Sequence, residues 1–138
     1  MRCRFTFLLL MLLFFSCRKN EQYVPETYVN LTIYVNDPQN MPLTAVGGWK
    51  YFTGGYRGLI IYRKGTSEFS AYDRACPYKV DESSSIVSVD TSNNVIMKDY
   101  SCESQFLMSD GSPISGPAVV PLKAYRCVFD GSVLEVTN

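Results

Sequence analysis

Short runs of β-branched and aromatic residues, each bounded by turn residues, fill most of this chain beyond its N-terminal segment. Ten Tyr, eight Phe and one Trp occur among the 138 residues. Such residues favour strands over helices, and no helical period of useful length appears in this part of the sequence. Turn signals recur roughly every eight to twelve residues, which is typical of an all-β domain. We therefore predict one compact all-β unit.

Individual strands are predicted wherever such a run is bounded by Gly, Pro, Asn, Asp or Ser. They cover Tyr28–Val35, Trp49–Thr53, Gly58–Arg63, Glu68–Asp73, Ile86–Val89, Asn94–Lys98, Lys123–Phe129 and Val133–Val136. The third and fourth strands, the fifth and sixth, and the last two should form hairpins. The last pair carries the clearest signal, because Asp130-Gly131 is a preferred two-residue turn. Pro117 and Pro121 exclude a helix between them.

The first residues have a different character from the rest of the chain. Arg2 and Arg4 precede Phe5–Phe15, a run without charge that is almost wholly apolar. Spanning a bilayer takes about 20 residues, so this run is too short and instead suits the apolar core of a signal peptide. Ser16-Cys17 directly follows and resembles the bacterial lipoprotein signal, in which the Cys becomes the first mature residue and carries acyl chains.

These features predict three segments. Residues 1–16 form a lipoprotein signal peptide, residues 17–27 a polar tether that begins at lipidated Cys17, and residues 28–138 the β domain. The protein should then lie in the cell envelope, anchored to a membrane through its lipid. An ordinary secreted protein cleaved nearby is the alternative.

The charge balance bears on the partners. The chain has 13 basic and 13 acidic residues, and removal of residues 1–16 takes two of the basic ones, Arg2 and Arg4. The mature part is therefore slightly acidic. It has no basic patch with interleaved aromatics, which argues against nucleic acid as a partner. We expect a membrane contact through the lipid and a protein partner in the envelope.

Cysteine and histidine content limits the chemistry. The chain has five cysteines and no histidine. Without the signal peptide and lipidated Cys17, the cysteines that remain are Cys76, Cys102 and Cys127. Export permits a disulfide, and three thiols leave one unpaired. The lack of histidine excludes Ser–His and Cys–His nucleophile pairs, so no catalytic residue is assigned. Cys127 lies in a predicted strand and is interpreted as a small buried apolar residue.

Two stretches together carry a family resemblance. Ala75-Cys76-Pro77-Tyr78, and then Ser101–Phe106 followed by Ser115–Ala118 and Pro121–Tyr125, resemble Rieske-type domains. That family has the pattern C-x-H, a spacer, C-x-x-H, a loop, G-P-A and a P-L-x-x-Y strand. The resemblance covers about residues 45–138. It implies layered antiparallel sheets with a small cluster-binding-type subdomain.

The resemblance places that subdomain at about 73–114 and assigns its ligand positions. Cys76 and Cys102 match the cysteine ligands of a [2Fe–2S] cluster, whereas Tyr78 and Gln105 stand where the family has histidine. In such a cluster two Cys hold one iron and two His hold the other. A Gln amide is a weak oxygen donor, and a Tyr phenol, with a pKa near 10, must first lose its proton. We therefore expect these four positions to be vestigial and to bind no metal or cofactor.

The same resemblance implies that the sulfur atoms of Cys76 and Cys102 lie close together. In an oxidising compartment we expect them to form a disulfide, which contributes about 3–4 kcal/mol in the chain-entropy picture. The leading hypothesis is a cell-envelope lipoprotein whose degenerate Rieske-like domain is a non-catalytic binding or structural module. Two alternatives stay open: an electron-transfer protein that binds iron or [2Fe–2S] through Cys76, Cys102 and atypical ligands, and a thiol–disulfide switch.

Overall fold

Two antiparallel β-sheets form the protein. The structure is a computed structural model that describes residues 23–138. Within this range ten strands make a six-stranded and a four-stranded sheet, which confirms the all-β class. The predicted signal peptide, Cys17 and the tether up to residue 22 lie outside the described residues. No helix within residues 23–138 is long and apolar enough to cross a bilayer.

The ten strands follow one another with short connections. They are β1 Asn30–Tyr34, β2 Trp49–Phe52, β3 Leu59–Arg63, β4 Phe69–Asp73, β5 Val87–Val89, β6 Ile96–Asp99, β7 Gln105–Leu107, β8 Pro113–Ser115, β9 Ala124–Phe129 and β10 Val133–Thr137. Short 3-10 helices occupy Pro38–Thr44 and Pro77–Lys79. The larger sheet has the order β1-β10-β9-β4-β3-β2, and the smaller one has the order β5-β6-β7-β8. The smaller sheet falls within or next to the predicted subdomain, whose boundaries remain a prediction.

Local chemistry explains the β9–β10 hairpin, which was predicted from the sequence. The carboxylate of Asp130 accepts hydrogen bonds from the backbone N–H of Ser132, at 2.9 Å, and of Val133, at 2.7 Å. Gly131, between Asp130 and Ser132, has φ +104°, a backbone conformation that residues with a Cβ rarely adopt. The turn therefore fixes the register in which Leu134 pairs with Phe129.

The centre of the larger sheet is buried on both faces. Leu59 and Ile61 of β3 belong to one apolar cluster, which is completed by strands β1, β9 and β10. Ile60, between them, points the other way into a second cluster, together with Tyr72 of β4. Successive side chains of a strand point to opposite faces, so β3 and β4 separate the two cores.

The second cluster joins the two sheets. Its other members come mainly from the smaller sheet and its loops, among them Val87, Met97 and Phe106. All three side chains are fully buried. The smaller sheet thus covers one face of the larger sheet, and Cys76 lies within this shared core.

Polar contacts also connect the sheets. The guanidinium of Arg74, just after β4, donates to the Val87 carbonyl at 2.9 Å and to Ser88 Oγ at 3.1 Å. It lies 4.1 Å from the ring centroid of Tyr51 on β2. The Tyr51 hydroxyl accepts from the backbone N–H of Val89 at 2.9 Å. These bonds hold β5 against the larger sheet at the end where the chain enters the smaller one.

Candidate functional site

A pair of cysteines lies where the two sheets meet. Cys76 follows β4 and directly precedes the 3-10 helix Pro77–Lys79, whereas Cys102 lies in the turn between β6 and β7. Their Sγ atoms are 3.7 Å apart. Cys76 is completely buried and Cys102 is partly exposed. The structure therefore brings together the two cysteines that were singled out in the sequence.

The fold holds Cys76 in place through its neighbours in the chain. Ala75 makes an isolated antiparallel bridge with Ile86, just before β5. The backbone N–H of Ala75 donates to the carboxylate of Asp73 at 2.9 Å. The segment between β4 and the 3-10 helix is thus held by the bridge to Ile86 and by the hydrogen bond to Asp73.

A third group, Asp99, completes the cluster of donors. It is the last residue of β6 and is fully buried. Its Oδ2 lies 3.3 Å from Cys102 Sγ, and the ligand atoms of Cys76, Asp99 and Cys102 all lie within 4.8 Å of one another. Among the described residues, this is the one group of three or more Cys, Asp or Glu side chains so arranged. Asp99 was not among the site residues predicted from the sequence. The signal available was an acidic residue three positions before Cys102.

Hydrogen bonds hold the Asp99 carboxylate in its buried position. Ser85 Oγ donates to Oδ2, and the backbone N–H of Ser101 donates to Oδ1 at 2.8 Å. Burial raises the pKa of Asp99, but these bonds and the contact with Cys102 outweigh it, so the net pKa is below its ordinary value. The carboxylate is therefore ionised at neutral pH.

The two thiols differ in their surroundings. Burial raises the pKa of Cys76 to about 12; a backbone hydrogen bond from Tyr78 opposes this rise, and the nearby Cys102 and Asp99 add to it. Cys102 Sγ lies 3.1 Å from Ser104 Oγ, which accepts from the backbone N–H of Ala118 at 3.1 Å. Cys76 is thus a protonated thiol at neutral pH in the absence of a metal.

Backbone conformation fixes the turn that carries Cys102. Glu103 is the one residue other than glycine within residues 23–138 with a positive φ, at +63°. Gly116, in the segment that covers this turn, approaches so closely that a Cβ there would lie 2.5 Å from Ser104 Cα. A side chain at position 116 would displace the turn, so the glycine of the Gly-Pro-Ala segment serves close packing around the sulfur pair.

The structure does not add Gln105 to this group. In β6, Met97 and Asp99 point into the core, so Lys98 faces the other way. Gln105 pairs with Lys98, whereas its neighbour Phe106 pairs with Met97 and is buried. Directly paired residues share a face of the sheet. The side chain of Gln105 therefore lies on the opposite face from Asp99.

Tyr78 contacts Cys76 through its backbone. Its side chain is 43% exposed at the surface of the 3-10 helix. The contact with Cys76 comes from the backbone N–H of Tyr78, which donates to the thiol. Of the four positions that match cluster ligands, the two cysteines lie together, whereas the Tyr78 side chain is exposed at the surface.

These donors do not fit a [2Fe–2S] cluster of the Rieske type. Such a cluster needs two nitrogen donors on its second iron, and the chain contains no histidine. Within residues 23–138, Asp99 is the one acidic side chain grouped with the two cysteines, and its ligand oxygen lies within 4.8 Å of both sulfurs. The three donor atoms therefore surround one position and leave a second iron without ligands.

The expected Cys76–Cys102 disulfide is not formed in this structure. The Sγ separation of 3.7 Å is well beyond a sulfur–sulfur bond of about 2.05 Å, so both cysteines are free thiols here. The disulfide remains a prediction. Cys127, the third free cysteine among the described residues, lies on β9 against the other apolar cluster, and burial raises its pKa to about 11.

Comparison with known proteins adds a structural likeness. No family model and no curated protein matches the chain. The ferredoxin of carbazole 1,9a-dioxygenase from Nocardioides aromaticivorans IC177 is similar in structure, with a TM-score of 0.51 and 18% identity over 81% of this chain and 98% of the ferredoxin. A complex of reduced oxygenase and oxidized ferredoxin in carbazole 1,9a-dioxygenase gives a TM-score of 0.49 and 19% identity, over 79% of this chain and 92% of the matched chain. The first likeness supports the Rieske-like fold, and at this identity it shows the fold alone.

Proposed function

We propose that the protein is a cell-envelope lipoprotein whose Rieske-like domain carries no histidine-ligated cluster and serves as a binding module. One observation supports this above the others. Gln105, at the position of a cluster ligand, lies on the opposite face of the smaller sheet from the cysteine pair and Asp99. The fold is kept, but the donors needed for a histidine-ligated cluster do not converge.

The surface beside the cysteines supports a protein partner. Tyr78 is 43% exposed and Tyr100 is 61% exposed. Tyr78 follows Cys76 by two residues and Tyr100 precedes Cys102 by two, so both exposed aromatic residues belong to the segments that carry the sulfur pair. Tyrosine is enriched at the core of protein interfaces. We propose this end of the domain as the contact surface for the partner.

Metal content tests the cluster-free part of the proposal. The mature protein is purified in detergent without oxygen, and iron and acid-labile sulfide are measured together with the visible absorption spectrum. We expect a colourless protein without stoichiometric iron or sulfide. Two irons and two sulfides per chain, with the visible absorption of an iron–sulfur cluster, would overturn the proposal in favour of electron transfer.

Cell fractionation tests the anchor. Wild-type protein should sediment with membranes, and a Cys17→Ser variant should lose both lipid labelling and membrane association. A Cys3→Ser variant is the matched control and should behave as wild type. Membrane association that is unchanged by Cys17→Ser would contradict the lipid tether.

Crosslinking in cells tests the contact surface. A photoreactive amino acid replaces Tyr78 or Tyr100, and the control places it at Tyr34, a tyrosine on β1 that is 62% exposed. We expect discrete crosslinked products from the first two positions and none from the third. Equal products from all three positions, or none from any, would count against a binding surface at the cysteine end.

The short sulfur–sulfur distance favours a second candidate, the thiol–disulfide switch. In that reaction a small disulfide such as oxidised glutathione accepts two electrons and two protons from Cys76 and Cys102. A bond then joins their Sγ atoms, and two glutathione thiols are released. Acid quenching, denaturation and alkylation with and without prior reduction count the thiols. The switch predicts that both cysteines alkylate only after reduction and that the pair shows a measurable, reversible potential.

A further inference from the structure

We propose that Cys76, Cys102 and Asp99 bind one mononuclear thiophilic divalent cation of the Zn²⁺ class, with a fourth coordination position open to solvent. The proposal rests on the placement of these three side chains. It does not depend on whether the domain binds a protein partner.

The distances match tetrahedral coordination. Zinc bonds thiolate sulfur at about 2.3 Å, which sets two ligating sulfurs about 3.8 Å apart in a tetrahedron. The two Sγ atoms here are 3.7 Å apart. A carboxylate oxygen bonded to the same ion lies about 3.5 Å from each sulfur, and Asp99 Oδ2 is 3.3 Å from Cys102 Sγ. Two of the three ligand separations thus match those of a tetrahedral zinc site, and the third, between Cys76 Sγ and the Asp99 carboxylate, is within 4.8 Å.

The groups around the three ligands already orient them. Ser85 Oγ and the Ser101 backbone N–H donate to the two oxygens of Asp99. The backbone N–H of Tyr78 donates to Cys76, and Ser104 Oγ contacts Cys102. Partners of this kind fix the geometry of metal ligands and raise affinity. A site formed only by chance contact of loops would lack this supporting set.

The donor set selects the class of ion. Thiolates favour zinc and other soft or borderline cations, whereas Ca²⁺ and Mg²⁺ take six or more oxygen ligands. On binding, each thiol gives up its proton to solvent, and two thiolates with one carboxylate offset the charge of the cation. Cys102 is partly exposed whereas Cys76 and Asp99 are buried. The open position therefore faces the side of Cys102.

Cobalt and zinc binding test the proposal directly. The mature protein is reduced, freed of metal by a chelator and titrated with Co²⁺ without oxygen. We expect one Co²⁺ per chain, with thiolate-to-cobalt charge transfer in the near ultraviolet and visible bands of tetrahedral cobalt. Zn²⁺ should displace it, and competition with a chromophoric chelator gives the zinc affinity. Saturating Zn²⁺ should also raise the thermal unfolding midpoint, because the ion binds the native state.

Matched variants distinguish metal binding at the proposed site from nonspecific metal binding elsewhere on the protein. Cys102→Ser removes a ligand at a partly exposed position, and Asp99→Asn keeps the shape of the side chain while removing its charge. Each should lower the zinc affinity at least about tenfold. Glu103→Gln and Cys127→Ser are the controls: the first removes an acidic neighbour of Cys102, and the second removes the third free cysteine among the described residues. Both should keep the wild-type affinity and cobalt spectrum.

Each outcome decides the question. The proposal is overturned if no Co²⁺ binds the reduced protein, if bound Co²⁺ shows no thiolate charge transfer, or if the control variants lose as much affinity as the site variants. Circular dichroism verifies that each variant is folded. If Cys102→Ser is not folded, Asp99→Asn and the zinc-dependent rise of the unfolding midpoint decide. One zinc without sulfide is distinguishable from two irons with two sulfides, so this test and that of the proposed function fail separately.

Discussion

Each sheet has a buried aspartate at the end of one of its strands. The two aspartates have different hydrogen-bond partners and therefore different roles. Asp73 ends β4 of the larger sheet, and Asp99 ends β6 of the smaller sheet; both are completely buried. Within the described part of the chain, the oxygens of Asp73 accept from three backbone N–H groups and from the Tyr125 hydroxyl, the last at 2.9 Å. One oxygen of Asp99 instead contacts a thiol. Equal burial thus gives a closed structural site in one sheet and a site open to metal chemistry in the other.

The surroundings of Asp73 explain why it is structural. Its carboxylate collects the backbone N–H of Tyr56, Arg57 and Ala75, and so ties the loop before β3 to the end of β4. A Cβ on Gly55 would lie 2.4 Å from Asp73 Oδ2, so the loop must be close to make these bonds. Burial raises the pKa of Tyr125, and the hydrogen bond to Asp73 adds to this. Each oxygen of Asp73 thus accepts two hydrogen bonds from the protein and is not available to a metal ion or other ligand.

Asp73→Ala should have the largest effect on stability. It leaves three backbone donors and the Tyr125 hydroxyl without their acceptor, so we expect the free energy of unfolding to fall by about 4 kcal/mol. Urea unfolding followed by circular dichroism measures it. Tyr125→Phe, the control, removes one of these bonds and should cost about 1 kcal/mol. Equal costs for the two variants would show that Asp73 is not the hub of this network.

Asp99→Ala should cost less, about 2 kcal/mol, in the metal-free protein. Two of its donors, Ser101 N–H and the Cys102 thiol, are near solvent and can bond to water, whereas only the Ser85 hydroxyl stays buried. The same urea titration in the presence of a chelator measures the cost. If Asp99→Ala lowered the free energy of unfolding as much as Asp73→Ala, the two aspartates would not differ in their structural roles.

The Asp99 pKa gives a pH dependence with a definite sign. Its folded pKa is below the unfolded value, so the ionised carboxylate stabilises the fold above about pH 4. That contribution is lost as the pH falls through the lower, folded pKa. The difference in unfolding free energy between wild type and Asp99→Asn should therefore shrink as the pH is lowered from 6 to about 3. A difference that grows on acidification would mean that Asp99 is protonated in the fold.

Tyr51→Phe should have the smallest effect on stability and the most local one. It removes the acceptor of the Val89 N–H at the junction of the two sheets, at a cost of about 1 kcal/mol. Hydrogen exchange at Val89 should speed up by more than the change in global stability accounts for. Tyr62→Phe on β3 is the control. Unchanged exchange at Val89 would show that the sheets do not depend on this bond.

Most of the fold could be predicted from sequence because its strands carry local signals. Asp130-Gly131 and the apolar runs beside it identify β9 and β10. Strands β7 and β8 were missed because their sequences, Gln-Phe-Leu and Pro-Ile-Ser, lack the paired valines that identified the equally short β5, and a register shift lies between Gln105 and Phe106. Such short pieces form through pairing with neighbours, which no local pattern reveals.

The candidate site shows where spacing alone falls short. The resemblance to Rieske-type domains matched Gln105 to a cluster ligand, but its side chain lies on the face opposite to Asp99. A shift of one residue moves every side chain of a strand to the other face, and spacing in a sequence does not fix that register. For the same reason Asp99 was missed: only the pairing of β6 with its neighbours shows that this carboxylate points towards the cysteines.

Histidine substitutions at positions 78 and 105 test most directly whether position 105 faces away from the cysteine pair. The double variant Tyr78→His, Gln105→His carries the nitrogen donors of the resembled family at the matching positions, and it is treated without oxygen with iron and sulfide beside the wild-type protein. Because position 105 faces away from the cysteine pair, we expect both proteins to stay colourless and free of stoichiometric iron. Uptake of two irons and two sulfides by the folded double variant, with the absorption of a histidine-ligated cluster, would show that position 105 faces Cys102 and would contradict the account.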